Sequence, residues 1–255
     1  MKGENMLDLQ RANMLKRISA AIFDFILLIT LAVGFMWGTS ALLNYDSYNE
    51  KIDDRHDYYF HEKYGFDEST QYNKLTDEEK ERYKTAETEF YDDEEVNYAL
   101  HMMFNLSLII VTFPMLFAFL ILEFIVPLLF KNGQTLGKKI FGIAVMRVDG
   151  VRVNGVLMFA RSILGKFTVG TMLPLLAFAL TVFGVLGIVG LIIVGGVLFT
   201  QIVLILFTKA RTPIHDKLAQ TVTVDMASQL IFDTPEELMA YKNKLQAENA
   251  DRSAY

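Results

Sequence analysis

The chain predicts an all-α membrane protein: four transmembrane helices, both termini cytoplasmic, with a short cytoplasmic amphipathic helix and a small β-hairpin. Three observations carry this. Residues 167–207 run for 41 positions without a charge. A span takes about 20 apolar residues at roughly 1.5 Å rise each, so this run fits two spans better than one. Two further apolar blocks lie at 18–43 and 99–130. The third observation is that charge is segregated along the chain. Residues 44–98 hold 7 basic and 18 acidic side chains, a net of −11, whereas 131–166 hold 7 basic against Asp149 alone, a net of +6.

Residues 1–17 form a cytoplasmic N-terminus carrying Lys2, Arg11, Lys16 and Arg17 against Glu4 and Asp8. The first span, 18–43, is too long for the core of a cleaved leader and contains Asp24, so it reads as a retained anchor. Trp37, Tyr45 and Tyr48 stand near its outer end, where interfacial aromatics belong. The acidic loop 44–98 follows. It lacks an apolar period up to about residue 73, but Thr76-Asp-Glu-Glu79 is a capping-box pattern. It predicts a helix from about 77 that runs into the second span, 99–130. This loop reads either as a cation-collecting or partner-binding surface or as a solvated linker.

Residues 131–166 form the basic cytoplasmic segment. Leu136, Ile140, Phe141 and Ile143, interleaved with Lys138 and Lys139, suggest the interfacial helix. Asp149-Gly150 between alternating β-branched residues predicts the hairpin. Spans three and four, 167–183 and 187–207, turn near Phe183–Gly187. Lys209, Arg211 and Lys217 then open the cytoplasmic tail, 208–255. Basic flanks on both sides of the long run place both inside. Gly184, Gly187 and Gly190 recur every three residues and suggest close helix packing. Gln201 is the strongly polar side chain of the fourth span. In the tail, Thr212-Pro213 predicts a short helix bearing His215 and Asp216, and Thr234-Pro-Glu-Glu237 a longer one over 234–250.

Intramembrane charge marks the candidate site. Arg17 and Asp24 are seven residues apart, hence within about 20° on one helix face, with Asp24 roughly 10 Å deeper. An unpaired carboxylate there costs at least about 2.5–3.5 kcal/mol, so it needs a partner, a proton or a polar cavity. Arg17, Arg161 and Lys166 are the candidate partners. Glu123 lies about two turns from the inner end of the second span, at a depth matching Asp24. The two could share a cation or proton, although a plain ion pair of Glu123 with Lys131 or the basic helix is the simpler explanation. Asp216 reads as an anchor between the inner helix and basic residues at the mouths of spans one and three. His215-Asp216 could also belong to a metal centre, but the remaining histidines, His56, His61 and His101, fall elsewhere, so no metal and no cofactor are expected.

Three blocks resemble the RDD family of multi-pass membrane proteins. Arg17 and Asp24 in KRISAAIFDFILL match its first arginine and aspartate, residues 133–150 (GQTLGKKIFGIAVMRVDG) its most recognisable stretch, and Ile214-His-Asp-Lys-Leu its terminal block, with Asp216 the third name-giving residue. Gln220 stands where the family usually carries glycine. The resemblance implies a bacterial plasma-membrane protein, with cation/proton exchange suggested for some members.

Without cysteine there is no disulfide framework or thiolate nucleophile. No Ser-His-Asp triad, Walker loop or dinucleotide fingerprint appears, so an enzyme is not expected. The functional expectation is transport of a monovalent cation or proton through Asp24 and Glu123, with oligomerisation needed for four spans to line a pathway. The alternative is a non-transporting scaffold that binds a partner, or anionic lipid at its basic inner face. The lipid bilayer is the expected partner and nucleic acid is not.

Overall fold

The computed structural model describes residues 9–67, 69–182, 184–207 and 212–253. Lys2, Glu4, Asp8, Phe183, Lys209 and Arg211, used above to assign topology or the turn, lie outside them. Helix α1 spans Met14–Leu42 and α2 spans Asp46–Asp57, continued by a π-helical turn at Tyr58–Lys63. Helix α3 is Asp77–Asp92; α4 is Glu94–Phe119, prolonged by a π-helical stretch, Leu120–Ile125, into α5, Val126–Leu129. Short helix α6, Leu136–Ile140, leads to strand β1, Ile143–Arg147. Helix α7, Gly155–Phe159, a π-helical stretch, Ala160–Met172, and α8, Leu173–Val182, form one continuous rod. Then come α9 (Ile188–Phe207), α10 (Ile214–Leu218), β2 (Thr221–Asp225) and α11 (Pro235–Ser253). Four rods, Met14–Leu42, Glu94–Leu129, Gly155–Val182 and α9, are long and apolar enough to cross a membrane.

The chain divides into two compact units, residues 33–115 and the remainder. In the larger unit, β1 and β2 pair antiparallel from Ile143↔Asp225 to Arg147↔Thr221. Ala144, Met146, Val222 and Val224 fill the core of this sheet. The Asp149-Gly150 turn forms as the sequence predicts, with the Gly150 N–H donating to the Arg147 carbonyl at 3.0 Å. However, Val151-Arg-Val153 forms no second strand: it adds isolated bridges, Arg152 to Met146 and Val151 to Phe232. The full ladder is non-local because β2 brings its own strict alternation, Thr-Val-Thr-Val.

Two further expectations change in this unit. The third span begins at Gly155, capped by the Asn154 side chain accepting from the Leu157 N–H at 2.9 Å, twelve residues before the predicted start at 167. Arg161 and Lys166 therefore sit inside the helix rather than at its mouth. Gly184 and Gly187 are not packing residues either. Both take positive φ (74° and 51°) in the turn between α8 and α9. Gly190 does pack: a Cβ there would lie 2.8 Å from the Ala177 carbonyl oxygen. In the tail, α11 starts at Pro235 with Thr234 accepting from the Glu237 N–H at 3.2 Å.

The smaller unit is ordered rather than a bare linker. Phe60, Phe66, Ala86, Phe90 and Val96 form its buried core. Helix α3 begins at the predicted capping box, with the Thr76 N–H donating to Glu79 at 2.8 Å. It does not run on into the span. The chain becomes extended at Asp93 (ψ 126°), whose carboxylate accepts from the Glu95 and Val96 amides and restarts the helix as α4. Burial pushes Asp93 up, but hydrogen bonds from Arg55, Val96, Tyr59 and Glu95 outweigh it and hold it at about 2.

A charged cavity among the spanning helices

The site is built around two π-helical stretches. Pro127 has no N–H to give the carbonyl of residue 123, four positions back, and its ring crowds that carbonyl. The helix widens over Leu120–Ile125, and the Ser162 hydroxyl donates to the freed Glu123 carbonyl instead. Across Ala160–Met172 the turns close at i→i+5. The hydroxyls of Thr168 and Thr171 follow suit, each donating to the carbonyl five residues earlier at 3.0 Å. In an α-helix Arg161 and Lys166 would diverge by about 140°. The wider π-helical turn brings residues five apart onto one side, and both line the same cavity.

That cavity, of about 390 Å³, also receives Arg17, Asp24, Glu123 and Asp216. Asp24 and Glu123 thus share one chamber, but neither is a free carboxylate. Lys166 Nζ donates to Glu123 Oε2 at 2.5 Å. Asp24 Oδ1 accepts from the Gly137 amide at 2.7 Å, and its other oxygen accepts from the Thr135 hydroxyl. Asp24 therefore seals the first turn of α6. Two of the expected partners of Asp24 are engaged elsewhere: Lys166 goes to Glu123, and Arg161 Nε donates to Asp216 Oδ1 at 2.6 Å. Glu123 likewise pairs with Lys166 rather than Lys131. Gly137 is required for this approach, because a Cβ there would stand 2.4 Å from the Ala20 carbonyl oxygen of α1.

Arg161 and Asp216 are both 1% exposed. Thr221 Oγ1 donates to Asp216 Oδ1 at 3.1 Å, and His215 Nε2 stands 3.7 Å from the same oxygen. Burial pushes Asp216 up, but the Arg161 guanidinium and His215 outweigh it and hold its carboxyl well below the usual carboxylate range. Burial, reinforced by Arg161 and Lys166, lowers His215 to about 3 despite Asp216, so its ring is neutral at physiological pH. One donor is left over. Arg161 Nη1 is buried and has no hydrogen-bond partner among the described residues.

Lys138 also faces the cavity. The sequence assigns it to the polar face of an interfacial helix, but it is buried, with Nζ donating to Thr135 Oγ1 at 3.2 Å. Burial, then Lys166 and Arg161, lower it to about 7, against the opposing pull of Glu123 and Asp24. The lining thus carries four basic side chains, Arg17, Lys138, Arg161 and Lys166, against three carboxylates, Asp24, Glu123 and Asp216. Gln201, from α9, reaches the same chamber.

The family model of the RDD family matches residues 11–220. The chain belongs to the RDD family. Neither the curated proteins nor the solved structures gave a match. All three residues that resemble the family's name-giving positions, Arg17, Asp24 and Asp216, line the cavity. The glycine expected before β2 in this RDD chain is Gln220, which nonetheless turns the chain with φ 50°.

Proposed function

We propose that this RDD-family membrane protein uses the cavity to bind an anionic, phosphate-class group, with Lys138 taking up a proton as the anion enters. The observation that carries it is the Arg161 guanidinium. It is buried beside a chamber with more basic than acidic side chains, and one of its nitrogens has no partner among the described residues. A buried N–H left unmade costs about 1–3 kcal/mol or more for a charged group, and an oxyanion oxygen would recover that cost. Asp24, Glu123 and Asp216 already accept from Gly137, Lys166 and Arg161, which leaves them poorly suited as an open cation ligand set.

The basic segment 131–166 and both termini are assigned to the cytoplasmic side of the plasma membrane, as their charge supports. Catalysis is not part of this reading. The anion could be a lipid headgroup from the inner leaflet or a small soluble phosphate. Lys138 is faced by Asp24 from α1, Glu123 from the second span, and Arg161 and Lys166 from the third. An added anion favours its charged form.

The test is calorimetry on the purified protein in neutral-lipid nanodiscs at pH 8, titrated with inorganic phosphate and, separately, with short-chain phosphatidylglycerol. Heats measured in buffers of different ionisation enthalpy should reveal uptake of up to one proton per site, lost in Lys138→Met. Binding of the lipid alone identifies a headgroup; binding of phosphate identifies a soluble anion. Failure of both, or binding unaffected by Lys138→Met, rejects the proposal. A second reading, exchange of a proton or monovalent cation, rests on Asp24 and Glu123 lining the same chamber. Proteoliposome flux that vanishes in both Asp24→Asn and Glu123→Gln would support it. No flux above empty liposomes would remove it.

A further inference from the structure

The geometry points to a second site in the smaller unit: we propose that His56, Asp57 and His61 bind a zinc-class divalent transition metal. One ligand atom from each lies within 4.8 Å of the others. His61 Nε2 is 3.6 Å and His56 Nδ1 4.0 Å from Asp57 Oδ1. Around a tetrahedral zinc with bonds of about 2.0–2.2 Å, donor atoms sit about 3.3 Å apart. Small rotations of the exposed Asp57 and His56 side chains towards His61 close that difference. The three donors would leave a fourth position for water.

The local backbone explains why a chain with only four histidines assembles two of them here. His56 and His61 are five residues apart, which on an α-helix splays them by about 140°. The helix widens at Tyr58–Lys63, and π-helical closure brings residues five apart together. Asp57 lies four residues before His61 and completes the face. Such single π turns recur at functional positions.

Both rings are held before any metal arrives. His61 Nδ1 lies 2.5 Å from the Phe66 carbonyl oxygen, which can only accept. Nδ1 therefore carries a hydrogen, and Nε2, 3.6 Å from Asp57, is the ring nitrogen left for a metal, the arrangement that orients metal-binding imidazoles. The His56 ring stacks on Phe60 with centroids 4.3 Å apart and planes 16° apart. Phe60 belongs to the buried core, so it supports one face of an imidazole whose other face stays open. The nearby cations are engaged elsewhere: Arg55 with Asp93 and Lys63 with Glu89. Among the described residues, no lysine or arginine pairs with Asp57, whose nearest side-chain nitrogens are those of the two imidazoles.

Two nitrogens and one carboxylate suit zinc, whereas calcium and magnesium take oxygen ligands. A bound ion would cross-link α2 to the π turn beside Phe60, so loading should stiffen this unit. The experiment uses the full chain in detergent micelles, with zinc chloride partitioned against a chromogenic chelator. One zinc per chain is expected, with affinity at least about tenfold weaker in His61→Gln and in Asp57→Asn. His101→Gln serves as the control and should bind as the parent does. Asp57 is 67% exposed at its side chain, so its replacement leaves the fold intact and keeps the test valid if a histidine variant unfolds. Equal binding by parent, His61→Gln and Asp57→Asn overturns the proposal, as does displacement by a hundredfold excess of calcium or magnesium.

Discussion

Replacing Asp216 with Asn should be among the most damaging single changes in the larger unit. The Arg161–Asp216 pair lies at 2.6 Å, with side chains 2% and 1% exposed. At an effective dielectric near 20, unit charges about 4 Å apart attract by about 4 kcal/mol. Removing one partner of such a pair costs about 3–5 kcal/mol, because the other charge is left buried without compensation. His215 cannot take over, since burial already holds it neutral, and losing Asp216 removes a charge that favours its protonated form. At about 2–4 °C per kcal/mol, the melting temperature in detergent should fall by roughly 10 °C. The double replacement Arg161→Met with Asp216→Leu should recover most of that loss, because an apolar pair of similar volume has no desolvation penalty. Thermal unfolding followed by intrinsic fluorescence measures all three variants. A loss under 1 kcal/mol for Asp216→Asn, or a double variant no better than the single one, would refute the argument that the pair is a closed, dry contact.

Gly137→Ala should destabilise the docking of α6 on α1, since the Ala20 carbonyl oxygen would stand 2.4 Å from the new Cβ and backbone cannot step aside cheaply. Faster amide exchange at residues 137–141 would report it, and parent-like exchange would contradict it. Gln220→Gly should raise the melting temperature, because a non-glycine residue at φ 50° costs about 1 kcal/mol that glycine avoids. For Lys138, the folded value of about 7 lies below the free value of 10.5, so between them the unfolded chain binds the extra proton. Stability should therefore rise as pH increases from about 7 towards 10. Unfolding measured from pH 6 to 9.5 should show that rise in the parent and not in Lys138→Met, which should be the more stable of the two at pH 6.

Span number, the capping box at Thr76 and the Thr234 cap were legible in the sequence because they rest on short-range composition and on side chains that bond within four residues. That Asp24 and Glu123 lie at matched depth was legible from their distance to the inner ends of their spans; that they and Asp216 line one chamber was not, because it depends on how separate rods pack. Nor was it legible who pairs with whom. Arg161 and Lys166 look divergent under a period of 3.6 and converge only because the helix widens, and nothing in residues 160–172 advertises an i→i+5 turn. The Pro127 effect on the Glu123 carbonyl could be anticipated, whereas the Ser162 hydroxyl that answers it comes from a different rod. Lys138 was misplaced because its burial depends on Asp24 and Glu123, residues distant in sequence. β2 was overlooked although its alternation is plain, because the nearby Asp149-Gly150 turn offered a local partner for β1.

The π-helical stretch of the third span gives the charged ladder a tuning property. Arg161, Lys166 and Thr171 follow one another every five residues on the chamber wall. Were that stretch to tighten to ordinary α turns, each step would swing about 140° from the last, and the guanidinium and ammonium would part without any side chain changing identity. Deleting Leu164, between the two, would instead restore a four-residue spacing suited to a regular helix while rotating everything beyond it. The pitch of one helix thus works as the alignment screw of the chamber. Length changes in residues 160–172 should be far more disruptive than equal changes in the turn at 184–187.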